Sequence, residues 1–345
     1  MVVESDDWGA ERVSDRRTQD LLRELPGFKD GPHSRVDTLE SPEDYDALLS
    51  CLSELEQQTG KKVKMTLNFL AGNPDYASIR ESKFSQYYLE PFTTTYTNKH
   101  QSNQGFQLLK EGMERGYFQA QFHGREHVWV NPWLEELSNE NSSFRKAFDL
   151  NNFGADLGFS KNGINIQEAW NLRNEADKIH LEQSIQEGLF YFKKIFGFLP
   201  STSVAPRHVW GGDAEQALMK AGISGMQSSP YRQKTLVEAG GSEALFTGGK
   251  SQAGMYLLCR NAWFETAYAE KDWVGEVMKK ARLAFFLGNP LIICSHRLNF
   301  SGGLSEANRK NTLHQLKALV AALTKTWPDI EFVSSDQLLN RLQTS

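Results

Sequence analysis

Short apolar runs separated by longer amphipathic stretches set the plan of this chain. Residues 2–5, VKMTLNFL at 63–70, YFQAQF at 117–122, residues 203–205, residues 223–227, MYLLC from 255 and LIICS at 291–295 have the length and apolar content of buried strands. A further strand is expected at 330–334. Between these runs the apolar positions recur at helical spacing. Ser41-Pro42-Glu43-Asp44 carries a cap, a first-turn proline and a capping-box carboxylate, so a helix is expected from there to about Gln58, ending at Gly60. Helices are also expected over 103–114, 132–149, 174–196, 213–220, 272–287 and 308–327. Ile179, Ile185, Leu189, Phe192 and Phe196 are expected on roughly one side of the long 174–196 segment.

Strand and helix alternate through most of the chain, and no linker divides it. That pattern predicts an α/β fold built as one parallel barrel over residues 1–345. Three polar stretches interrupt it as long loop insertions, around 9–40, 72–100 and 228–252. The first is expected to hold one short helix.

Composition narrows the partners. Charged residues make up 23% and the formal charge is −5, with no Lys/Arg block, so nucleic acid is not expected as a partner. No run is long and apolar enough for a membrane span, and no charged leader precedes an apolar core. A cytoplasmic home follows for the residues given; a leader upstream would change that to a secreted or periplasmic one. The three cysteines, Cys51, Cys259 and Cys294, form no CxxC pair and read as buried small hydrophobes.

The polar residues that follow the strands carry the candidate chemistry. Asp6 and Asp7 close the first apolar run, and His123 and His127 follow the YFQAQF run at a spacing of one helical turn. Carboxylate and imidazole suit a borderline ion such as Zn²⁺, and a second carboxylate beside it could activate water. Adjacent strand residues point to opposite faces, so both acids can serve one site only if the backbone turns there. The histidine pair lacks the glutamate of the zincin HExxH motif. Arg207 follows another strand exit and could hold a carboxylate in a bidentate pair. His296 ends the most apolar strand, where it could donate a proton to a leaving group. Trp8, Trp210, Asn261, Glu265 and Asn299 are candidate pocket or supporting residues. No Walker, Rossmann or nucleophile-elbow motif occurs.

These motifs resemble the polysaccharide deacetylases, carbohydrate esterase family 4, also called NodB-like. ESDDWG matches the family's strand ending in an acidic pair, HGREH its histidine pair, APRHVWG a reordered arginine-proline motif, and LIICSH its last strand with histidine. The resemblance implies an irregular, seven-stranded (β/α) barrel that removes acetyl groups from a carbohydrate with one divalent ion, Zn²⁺ before Co²⁺, Ni²⁺ or Mn²⁺. It further implies Asp7, His123 and His127 as metal ligands, Asp6 as general base, Arg207 as its partner and His296 as general acid. The family's Asp-Trp motif could be Asp272-Trp273, or Glu265 could take its place. Two other readings remain open: a glycoside hydrolase using Asp6 and Glu265, and a carbohydrate-binding protein without catalysis.

Overall fold

The computed structural model describes residues 1–344. Eight strands form one wholly parallel sheet: β1 (Val2–Trp8), β2 (Met65–Phe69), β3 (Phe118–Phe122), β4 (Thr202–Val204), β5 (Gly225–Ser228), β6 (Tyr256–Cys259), β7 (Ala262–Trp263) and β8 (Ile292–His296). Their order across the sheet is β6-β5-β4-β3-β2-β1-β8-β7. The two edges are consecutive in sequence. Only Arg260 and Asn261 separate β6 from β7, and Arg260 N–H still donates to Ser228 O of β5 while Asn261 N–H donates to Ile292 O of β8. One bent run therefore pairs first with β5 and then with β8, joining the edges of a curled sheet. Counted as a single strand, it gives the barrel the expected seven.

Helices pack outside this barrel. Pro42–Thr59 begins with the expected capping box, Ser41 Oγ accepting from Asp44 N–H and Asp44 accepting from Ser41 N–H, and ends at Gly60 in the left-handed region. Glu175–Phe196, Trp273–Phe286 and Glu306–Thr326 match their expected spans to within two residues. Outward-facing strand residues such as Val3, Leu67, Phe69, Phe122 and Ile293 form the main apolar core with these helices.

The barrel interior is different. Inward positions alternate along each strand, and the lowest layer is apolar: Val2, Leu258 and Ile292. Above it lie Glu4, Thr66, Asn68, Gln121, Thr202, Gln227 and Arg260, all buried and linked by hydrogen bonds. A buried polar layer persists only when its groups are satisfied, and these are.

Several expectations are corrected. No strand forms at 330–334; the chain there is extended, and helix Ser335–Thr344 follows, absent from the sequence reading. Its Leu338 and Leu339 close the lower mouth of the barrel against Val2 and Ile292. The single helix expected over 132–149 is two, Val130–Leu137 and Ser143–Phe148. The 9–40 insertion carries two short helices, not one, and 72–100 folds into a small strand pair and two helices. The 228–252 stretch contains a short hairpin, Tyr231–Gln233 with Ser242–Ala244.

Candidate metal centre and its acid–base flanks

A cavity of about 230 Å³ opens at the C-terminal end of the strands, lined by Asp6, Asp7, His123, His127 and His296 among others. Five residues spread over nearly the whole sequence thus face one space, because parallel strands deliver their ends to the same rim.

β1 supplies two of them by a local distortion. Its register with β2 shifts between Ser5 and Trp8, and Asp7 has φ +71°, in the left-handed region that a non-glycine residue rarely occupies. That turn cancels the alternation of the strand and lets adjacent carboxylates share the cavity. On the other side β1 and β8 run in register, with Asp6 opposite His296.

His123 and His127, although spaced as on one helical turn, lie before the helix that starts at Val130. They sit on an irregular loop after β3, where Gly124 takes φ +108°. The loop is pinned by Arg125, which pairs with Glu126 and with Glu187 at 2.5 Å. His123 Nδ1 faces Val204 O at 3.0 Å, so it carries the proton and Nε2 presents its lone pair inward. That nitrogen stands 3.2 Å from Asp7 Oδ1, and His127 Nε2 is 3.6 Å from the same oxygen. Donor atoms of all three residues lie within 4.8 Å of one another. An imidazole lone pair set against a carboxylate oxygen calls for a cation between them. Burial pushes the His127 pKa well below its usual value, so this ring stays neutral, as a ligand must be. The donor set therefore fits a divalent ion with nitrogen and oxygen ligands.

Asp7 is oriented from outside the cluster. Arg12 Nη2 donates to Asp7 Oδ2 at 3.1 Å, leaving Oδ1 for the histidines. Burial works against the charge on Asp7, but the Arg12 guanidinium holds its carboxyl well below the usual range.

Asp6 is held by Arg260, not by Arg207. Arg260 Nη1 donates to Asp6 Oδ2 at 2.6 Å and Nη2 to Oδ1 at 2.7 Å, a bidentate fork, while Nε donates to Glu4 at 2.7 Å. Asn68 Nδ2 adds a bond to Asp6 Oδ1 at 2.8 Å. Burial disfavours the Asp6 anion, yet the guanidinium outweighs it and keeps the group ionised. Arg207 is exposed at the cavity rim with φ +59°, followed by His208 at +56°. No motif marked Arg260; only its position at the break between β6 and β7 brings it inward.

His296 Nδ1 faces Glu265 Oε1 at 2.7 Å, and Asn299 donates to Glu265 Oε2 at 2.7 Å. Burial alone would lower the His296 pKa; Glu265, with Asp7 and Asp6 beyond it, raises it to about 9. Glu265 is thus the partner of His296 and Asn299. Asp272 stands apart from this cluster, accepting from Gly275 N–H at the start of its helix.

The remaining candidates lie elsewhere. Trp8 is core, its Nε1 donating to Ser5. Trp210 is buried with Nε1 on Glu215. Asn261 ties the foot of β8, exchanging bonds with Pro290 O and Ile292 N–H. Arg12, His33, His208, Trp263 and Tyr268 line the cavity although the sequence reading had not selected them. Burial pushes the His208 pKa down to about 3.

No family model matches the chain, and no curated protein matches it. Solved structures with similar folds include a probable polysaccharide deacetylase from Pseudomonas aeruginosa, at 8% identity and a TM-score of 0.48 over 100% of this chain and 91% of that one. A CE4 family pseudoenzyme from Bacillus anthracis matches at 9% identity and 0.42, over 98% and 64%. A 4-alpha-glucanotransferase from Thermococcus litoralis matches at 10% and 0.45; it covers 99% of this chain, which spans only 38% of that protein's length. These values are low, and what the site can do rests on its own side chains.

Proposed function

We propose that this protein is a metal-dependent hydrolase that removes acetyl groups from a carbohydrate. The observation that carries the reading is the convergence of Asp7 Oδ1 with His123 Nε2 and His127 Nε2, flanked by Asp6 on Arg260 and His296 on Glu265. Asp7, His123 and His127 would hold Zn²⁺ or a similar ion, which when bound polarises the acyl carbonyl and acidifies a water. Asp6, kept anionic by Arg260, accepts the proton of the attacking water. His296, kept protonated by Glu265, gives its proton to the departing nitrogen or oxygen. Arg12 fixes which Asp7 oxygen turns to the ligand cluster.

Elemental analysis of the wild type and of H123A/H127A, purified without chelator, tests the first premise. One equivalent of a divalent ion in the wild type and none in the double variant is expected. Absence of metal in the wild type, with none taken up on titration, would refute the reading.

A further inference from the structure

The 9–40 insertion sends a hydrogen-bonded chain to the cavity that the proposed chemistry does not use. Asp37, fully buried, is held by Arg297 and by Arg12 Nε at 3.1 Å. Its Oδ2 lies 2.7 Å from His33 Nδ1, and His33 Nε2 lies 2.8 Å from the Tyr268 hydroxyl. His33 packs edge-on against His296 with ring centroids 5.8 Å apart, and Tyr268 lies 6.2 Å from the same ring. His33 and Tyr268, hydrogen-bonded to each other, thus pack together against the proposed general acid, and Tyr268 keeps 39% of its surface open.

The direction of each bond follows from its anchor. A buried carboxylate beside two guanidiniums is an acceptor, so the His33 proton sits on Nδ1. In the neutral ring Nε2 then accepts the Tyr268 O–H. With His33 neutral, the phenolic oxygen spends its only proton on Nε2 and offers its lone pairs to a donor in the cavity.

We propose that Tyr268, oriented by the Asp37–His33 pair, is the subsite for the leaving-group side of the substrate, and that it accepts a hydrogen bond from a hydroxyl or amide N–H adjoining the scissile bond. This rests on the reading of His296 as the acid, because a proton donor must touch the leaving atom, and the hydrogen-bonded Tyr268–His33 pair packs against that donor. A polyol such as a sugar ring meets the requirement; a bare aryl leaving group does not.

The test uses the full chain loaded with Zn²⁺ and two variants, Tyr268→Phe and His33→Phe. Binding of N-acetylglucosamine tetramer and of acetylated xylotetraose is measured by calorimetry. The ratio of kcat/KM on the bound saccharide to that on 4-nitrophenyl acetate is measured beside it. Y268F is expected to raise the saccharide Kd about tenfold, the worth of one hydrogen bond, and to lower the ratio by a similar factor through KM. H33F should do the same, since it leaves the phenol free to rotate. Unchanged affinity and ratio, an equal loss on both substrates, or no binding of either saccharide by the wild type would overturn the subsite. Saccharide binding that Y268F weakens, in a protein that takes up no metal, would support the subsite and sink the hydrolase reading instead.

Discussion

Arg260 grips both oxygens of Asp6, at 2.6 and 2.7 Å, from the point where one strand leaves β5 and joins β8. The same guanidinium neutralises Glu4 one layer below, and all three side chains are buried. Burial pushes the Glu4 pKa up, so this carboxylate is the one most dependent on its arginine partner.

Removing that guanidinium leaves two buried carboxylates without their cation. Arg260→Met should destabilise the fold by about 3–5 kcal/mol, read from urea unfolding midpoints, and cut turnover at least about 100-fold. Arg207→Ala, at an exposed position, should change the midpoint by less than about 0.5 kcal/mol. Equal effects of the two substitutions would contradict the placement of Arg260.

The His296–Glu265 pair predicts an alkaline limb in the pH–rate profile. The His296 pKa is raised to about 9, so the acid form persists at neutral pH and is lost as pH rises through that value. The pair's contribution to stability runs the same way: fully present below the unfolded-state value of about 6.5, it disappears as pH rises past about 9. Glu265→Gln should move the alkaline limb to lower pH by about one to two units. A limb that stays in place would remove Glu265 from this role.

Arg12 touches Asp7 without touching the ligand-facing oxygen. Arg12→Met should weaken Zn²⁺ binding by about 10–100-fold, measured by competition with a chromophoric chelator. Unaltered affinity would show that Asp7 needs no outer support.

Zn²⁺ should also stabilise the native state. At a free concentration about 100 times Kd the gain is about 2.7 kcal/mol, seen as a rise in Tm for the wild type and none for H123A/H127A. A rise of equal size in both would place the ion elsewhere.

The C-terminal helix should matter more than its polar sequence suggests. Leu339→Ala removes a side chain 1% exposed from the layer beneath Glu4 and should cost about 2–5 kcal/mol. A loss below about 0.5 kcal/mol in chemical denaturation would mean that this helix does not seal the barrel.

The order of strands and helices, the parallel barrel and the residues at the ends of β1, β3 and β8 were legible in the chain itself. Apolar periodicity reports which segments are buried, and a polar residue that ends an apolar strand stands out against it. Asp6, Asp7, His123, His127 and His296 were found that way, and the structure gathers them round one cavity. The helix at 335–344 was missed because its two buried leucines are too few to outweigh its polar neighbours. The partners of the site lay further out of reach. Arg260 looks like any charged residue after a strand, and Arg12, His33 and Tyr268 sit in polar stretches with no periodicity. Their roles depend on contacts across up to 256 residues of sequence, as between Glu4 and Arg260. Local pattern carries the burial of a segment, but not the identity of what it meets. Only the closed barrel decides which arginine neutralises which carboxylate, because that choice is made by distance in three dimensions and by the cost of leaving a buried charge alone.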